Sequence, residues 1–512
     1  MTKRPNGVFG REDYTGDTVL ACDVVIVGSG AGGGVMAAEL AEAGLDVIVV
    51  EEGGYHSTEE FTPQATAMIR KMYRDGGASM TLGTPPVIFS EGRTVGGSTV
   101  INGGMSWRTP EKILERWHHD DGVDKIRAAD MDRHFARVEK YISAKYQDPE
   151  SSSRDNEILI EGAQKKNWAY IPNIRNQNHC AGTNNCAFGC PTAAKRSVLV
   201  TYIPRALTFG ARVYSDVKVD KLVTRGKRII GITGRTVKSN GRAGHTFTVH
   251  ARATVVACGA IHTPALLFRS GLKSPSGRIG TDLSLHPNTK VQAIFDEDVK
   301  GWQGVHQGYQ VREFEKDGVL FAAVNVPPAI LSMALPYYGQ ELLDVMSQYN
   351  KIVNAGLLLE DSTTGRVRLG PGGIPLSTYN LNDTDAAKLV KATVMLCELL
   401  FAAGAKKIAS PFEGCPPLYS MDDAKKLYSA KIPKTAIELF TVHMMGTARM
   451  GNDPTRHVVD SYGKFYDADG LYISDASLFP SPIGVNPMET IMALSTRNAE
   501  RLLETQAAKV AA

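Results

Sequence analysis

Two sets of residues in this chain have the types and spacing to do chemistry. The first is Gly28-Ser-Gly30-Ala-Gly-Gly33, a G-x-G-x-x-G run suited to a dinucleotide pyrophosphate. Gly28 allows a tight turn, Gly30 lets backbone approach phosphate, and Gly33 lets a helix pack close on a strand. Glu51, some twenty residues on, is placed to accept hydrogen bonds from ribose hydroxyls. The second set is Cys180-Ala-Gly-Thr-Asn-Asn-Cys186-Ala-Phe-Gly-Cys190-Pro. Bacterial ferredoxin runs read C-x2-C-x2-C-x3-C-P, and Thr183 here stands where the second cysteine would be. Three thiolates at this spacing suit a three-iron cluster. Packing thiols or a disulfide is the competing reading. A zinc site fits less well, because His179 and the three cysteines lack finger spacing.

The fingerprint needs a strand before it and a helix after it. Val24–Val27 is wholly apolar, as a strand buried on both faces should be. A helix is expected from about Ala31 to Ala43, with its N-terminal amides aimed at the phosphate. Gly44 ends it, and Asp46–Val50 forms the second strand, with Glu51 at its tip. The fingerprint alone does not separate NAD from FAD; its place at the start of a chain of this length favours FAD. A further glycine cluster runs from Gly92 to Gly103. In it Gly96, Gly97 and Ser98 offer backbone to a flat ligand and Asn102 a hydrogen bond. Val255–Gly271 reads as a buried strand, a turn at Gly259 and a helix returning to the same sheet.

Four segments in this order resemble the glucose-methanol-choline (GMC) oxidoreductases, a family of FAD-dependent alcohol oxidases and dehydrogenases. They are the Val24–Gly54 unit, Gly92–Gly103, Gly259–Gly271, and a C-terminal block. That block is His443-Met-Met-Gly-Thr-Ala-Arg-Met-Gly451 with Asp475-Ala-Ser-Leu-Phe-Pro and Gly484-Val-Asn-Pro. The resemblance implies an α/β fold, with a Rossmann-like FAD-binding domain of the GMC type. An α+β substrate domain with a mostly antiparallel sheet accompanies it. The FAD domain would be assembled from 1–110, 191–290 and 440–512. Residues 111–190 would form a cap region with the Cys-rich loop, and 291–439 the substrate domain. The resemblance also implies FAD contacts at Gly28, Gly30, Ala31, Gly32, Gly33, Glu51 and Glu52. Further contacts would come from Gly96, Gly97, Ser98, Asn102, Gly103, Val219 and Gly259, and from Asp475, Ala476, Asn486, Pro487 and Met488.

Oxidising an alcohol needs a base for the hydroxyl proton and a polar clamp for the oxygen as it becomes alkoxide-like. The resemblance makes His443 the base and Asn486 the clamp, with hydride passing to flavin N5. Asn486-Pro487-Met488-Glu489 also reads as a helix start, with Asn as N-cap and Pro first. His286 resembles a structural closure of the flavin domain, and His179 and His262 receive no role. The cysteine trio resembles a sugar-dehydrogenase branch that passes electrons to a three-iron cluster. Asn486 resembles the sterol and long-chain branches. A bulky or long-chain alcohol is the expected substrate, with a sugar or aminoglycoside hydroxyl as the alternative. An FAD lyase without net redox is a reading from another class. Oxygen, a carrier or a cytochrome partner would take the electrons.

Composition sets outer bounds. The 512 residues suffice for two compact domains. A net charge of +3 gives no reason to expect nucleic acid or a membrane surface as partner. No run reaches the roughly 18 apolar residues of a membrane span. The basic start lacks an apolar core after it, so no secretory signal is expected. Cytoplasm is then the default, and export on a signal-bearing partner the alternative. Seven cysteines, an odd number, do not read as a disulfide framework. The apolar runs at 319–326 and 352–359 suit antiparallel strands. Asp385 to Gly404 keeps helical spacing, with Gly404 as C-cap and Cys397 as core filler.

Overall fold

The computed structural model describes residues 4–511, with side chains through Thr505. Its centre is an eight-stranded sheet. Across the sheet the order is Val8–Phe9, Arg212–Tyr214, Val47–Val50, Thr18–Val27, Ala243–Val256, Arg228–Val237 and Val217–Arg225. Leu471–Ile473 also pairs with Ala243–Val256. The strands from Val8–Phe9 to Ala243–Val256 pair in parallel, and so does Leu471–Ile473; the last two pairings of the series are antiparallel. Val24–Val27 and Val47–Val50 are buried throughout, which explains their unbroken apolar sequence.

The helix Ala31–Glu42 crosses between Thr18–Val27 and Val47–Val50. Two glycines permit its position. Gly28 has φ +98°, and a Cβ there would lie 2.3 Å from the Ala257 carbonyl oxygen. A Cβ on Gly33 would lie 1.9 Å from the Gly28 oxygen, so the helix approaches the turn as close as backbone allows. The C-terminal helix Met488–Ala511 packs on this crossover helix and carries the end of the chain back to the fingerprint.

A second sheet has six strands, all paired antiparallel. Its order is Lys407–Ile408, Lys290–Ile294, Ile352–Leu359, Val319–Ala323, Tyr309–Val311 and Tyr170–Pro172. The helices Arg154–Lys166 and Asp383–Ala403 cover one face. Asn382 caps the latter by accepting the Asp385 N–H, and Gly404 ends it at φ +115°. Cys397 is buried within it. The sheet's other face looks across a cavity toward the first sheet. Each sheet has its own hydrophobic core, so the cavity lies between two independently packed bodies of side chains.

Candidate active site

One cavity of about 1360 Å³ runs from the fingerprint to the second sheet. Ligand pockets usually span roughly 300–1,000 Å³, so this one has room for a dinucleotide and a substrate together. Its near wall carries Gly28, Gly30, Ala31 and Gly32, with Glu51 and Glu52 at the strand tip. Gly97, Ser98, Asn102 and Gly103 line it next, then Val219 and Gly259. Asp475, Ala476, Asn486, Pro487, Met488 and His443 complete it from the C-terminal block. Gly33 and Gly96 stand behind this wall rather than on it.

Hydrogen bonds lock these distant segments together. Ser29 N–H and Oγ–H donate to Glu51 Oε2 at 3.0 and 2.8 Å, and Gly96 N–H donates to Ser29 Oγ at 3.0 Å. Glu51 Oε1 accepts from Gly53 N–H at 2.9 Å, which leaves that oxygen a second acceptor position for a ribose hydroxyl. Burial pushes the Glu51 carboxyl above its ordinary value, against the pull of these donors. Burial also acts upward on Glu52, but Arg74, 3.0 Å away, overrides it and holds the carboxyl at about 2. Asp475 accepts from Gly259 N–H at 2.9 Å, Thr263 Oγ1 at 2.5 Å and Ser477 N–H at 2.8 Å, tying the second glycine turn to the C-terminal block. Asn102 Nδ2 donates toward Met488 Sδ at 3.0 Å. The backbone cradle, the acidic strand tip and the cavity's length fit FAD.

Sequence reasoning missed Lys195. Its buried ammonium donates to the carbonyls of Val100, Asn102 and Cys186 at 2.7, 2.8 and 2.6 Å. Burial lowers it to about 8, while Cys186 and Cys190 act the other way. It therefore pins the first signature loop to the Cys-rich loop.

Nothing in the described residues supports the three-iron expectation. Cys180, Cys186 and Cys190 line one small hollow of about 10 Å³, room for roughly one water. Among the described residues no group of three or more His, Cys, Asp or Glu side chains is gathered to hold a metal. Cys186 Sγ instead accepts from Arg175 at 3.2 Å, and Cys190 Sγ from Lys195 N–H at 3.4 Å. Burial acts upward on Cys190, yet the hydrogen bonds from Lys195 and Thr192 hold the thiol below its ordinary value. All seven cysteines are free.

At the far end of the cofactor wall, His443 Nε2 lies 3.3 Å from Asn486 Nδ2. His443 N–H donates to Thr441 Oγ1 at 3.1 Å, which fixes its backbone. Burial lowers the imidazole to about 4, so it is neutral at pH 7. The helix begins at Met488, and its first turn closes on the Pro487 carbonyl. Asn486 therefore does not cap it, as the sequence had suggested. Its amide faces His443, and its Oδ1 is buried without a partner. His286 stands on the other side of His443, the two rings 5.4 Å apart at 87°.

The models of two GMC oxidoreductase regions match residues 69–288 and 361–495, and an FAD binding domain matches 23–66. An uncharacterised GMC-type oxidoreductase of Mycobacterium tuberculosis is 36% identical, over 94% of this chain and 76% of its own. A long-chain-alcohol oxidase of Arabidopsis thaliana is 27% identical, over 96% of this chain and 68% of its own. The solved formate oxidase of Aspergillus oryzae shares the fold, with a TM-score of 0.72 at 16% identity, over 95% of this chain and 98% of its own. The chain belongs to the GMC oxidoreductase family and is an FAD-dependent oxidoreductase.

Proposed function

We propose that this protein oxidises the hydroxyl of a bulky or long-chain alcohol to a carbonyl. The observation that carries this reading is the His443–Asn486 pair on one cavity wall. The same cavity is lined by the nucleotide cradle and by apolar side chains. Those side chains include Ile88, Leu320, Met333, Phe412, Ile437 and Val442. A hydrocarbon substrate gains from burial there. The Arabidopsis relative, named as a long-chain-alcohol oxidase, supports the same class and oxygen as acceptor.

The fingerprint backbone at 28–32, Glu51, the Gly97–Asn102 loop, Gly259 and Met488 would hold FAD. Bound FAD supplies a hydride acceptor. The chain's own part is to seat the carbinol carbon against it and to manage charge on the oxygen. His443 and Asn486 meet that oxygen. A neutral imidazole either takes the hydroxyl proton through an open Nε2 lone pair or donates through Nε2–H. What its Nδ1 meets decides between the two.

A homologous series of primary alcohols tests the reading. Each buried methylene contributes about 0.8 kcal/mol, so kcat/KM should rise roughly fourfold per carbon until the cavity is filled. Hydrogen peroxide should accumulate in air. A flat series, with hexoses turned over faster, would refute the proposal.

A further inference from the structure

We infer that His286 holds His443 as the tautomer protonated at Nε2, so that His443 meets the carbinol oxygen as a hydrogen-bond donor. This rests on the reading that the carbinol oxygen meets the His443–Asn486 pair.

The backbone N–H groups of Ile483 and Gly484 donate to His286 Nε2 at 3.2 and 3.0 Å. That nitrogen is therefore an acceptor and carries no proton. A neutral imidazole has one N–H, so the proton of His286 sits on Nδ1. His286 Nδ1 lies 3.3 Å from His443 Nδ1. Only one proton fits between two nitrogens at that distance, and it belongs to His286. His443 Nδ1 thus accepts, and the single proton of neutral His443 lies on Nε2. Turning either ring over would lose its contacts on both sides, so the ring orientations follow from the same hydrogen bonds.

His443 Nε2–H then stands beside the Asn486 Nδ2 amide, 3.3 Å away. That N–H is a donor which an acceptor oxygen can complete, the arrangement that stabilises a developing alkoxide. His443 then stabilises the developing negative oxygen, and the hydroxyl proton passes to a solvent water in the cavity, which acts as the base.

The backbone supports a dedicated role for His286. Its φ is +45°, in the left-handed region that residues with a Cβ rarely occupy. The buried Asp361 carboxylate accepts the His286 N–H at 3.2 Å and holds this conformation. His286 itself is fully buried. His286 is a positioning residue: it acts on the oxygen only through His443.

The test uses FAD-loaded protein labelled with 15N-histidine, with His443→Gln serving to assign the signals. In the wild type, His443 Nε2 should show a bound proton and Nδ1 none. In His286→Gln, the glutamine oxygen can accept from Ile483 and Gly484 while its amide donates to His443 Nδ1. The tautomer and most of kcat should survive. In His286→Leu, the His443 signals should show mixed tautomers, and kcat should fall roughly tenfold or more while KM changes little. A proton on His443 Nδ1 in the wild type would overturn the inference. So would His286→Leu with wild-type signals and kcat. If the leucine variant does not fold, the wild-type and glutamine spectra still decide. A protein that shows the Nε2–H tautomer but oxidises no alcohol would refute the proposed function and leave the tautomer assignment standing.

Discussion

Replacing Gly30 with alanine should separate cofactor binding from folding. An ideal Cβ at position 30 meets nothing nearer than Gly97 Cα at 3.9 Å, and φ is −71°, which alanine adopts freely. Gly30 is the N-cap of the crossover helix, where alanine is poorer than glycine. The loss there is about 1 kcal/mol or less, and the stiffer unfolded chain offsets part of it. The methyl group would project where the pyrophosphate must lie against backbone. Displacing one charge-assisted hydrogen bond costs about 1.5–3 kcal/mol, or roughly 10–100-fold in FAD affinity. The contrast is Gly28→Ala, whose Cβ would meet the Ala257 oxygen at 2.3 Å at φ +98° and should destabilise the whole fold. The assay is FAD titration of the stripped protein by flavin fluorescence, beside thermal melting without FAD. Gly30→Ala with a melting temperature lowered slightly at most and clearly weakened FAD is the expected result. Wild-type FAD affinity in that variant would refute the placement of the pyrophosphate.

Two other perturbations probe the supports of the site. Lys195→Met leaves the Val100, Asn102 and Cys186 carbonyls without their shared donor. At about 1–3 kcal/mol for each unsatisfied group, it should lower the denaturant midpoint clearly; a midpoint within error of wild type would deny the clamp its role. Burial holds His286 well below its ordinary value, with the neighbouring His443 acting the same way. The unfolded chain then binds the extra proton as pH falls below about 6.5. His286 therefore contributes stability above that pH and loses it on acidification. Melting temperature should fall more steeply between pH 6.5 and 4.5 in the wild type than in His286→Gln, and parallel slopes would contradict this.

The nucleotide-binding half was legible because its signals are local. Val24–Gly54 carries strand, turn, helix and acidic tip within thirty residues, and each is dictated by near neighbours. The helix ending at Gly404 and the strands at 319–323 and 352–359 were readable for the same reason. Asn486-Pro-x-Glu read both as a helix start and as an oxygen clamp; the helix does start there, at Met488, while the amide turns to His443, a contact with no local signature. The cysteine spacing matched an iron–sulfur run, but spacing does not reveal that Lys195 and Arg175 engage two of the thiols. The contact of His286 with His443 spans 157 residues and has no local signature. Its one sequence hint was a histidine just before Pro287.

The measurement that tests the account most directly is anaerobic reduction of the bound flavin by a long-chain primary alcohol. Wild-type protein carrying FAD should lose its flavin absorbance on mixing. His443→Ala should keep the FAD spectrum and react roughly a hundredfold or more slowly. A wild-type flavin left oxidised by every alcohol in the series, or a His443→Ala variant reduced at the wild-type rate, would contradict the assignment of this site.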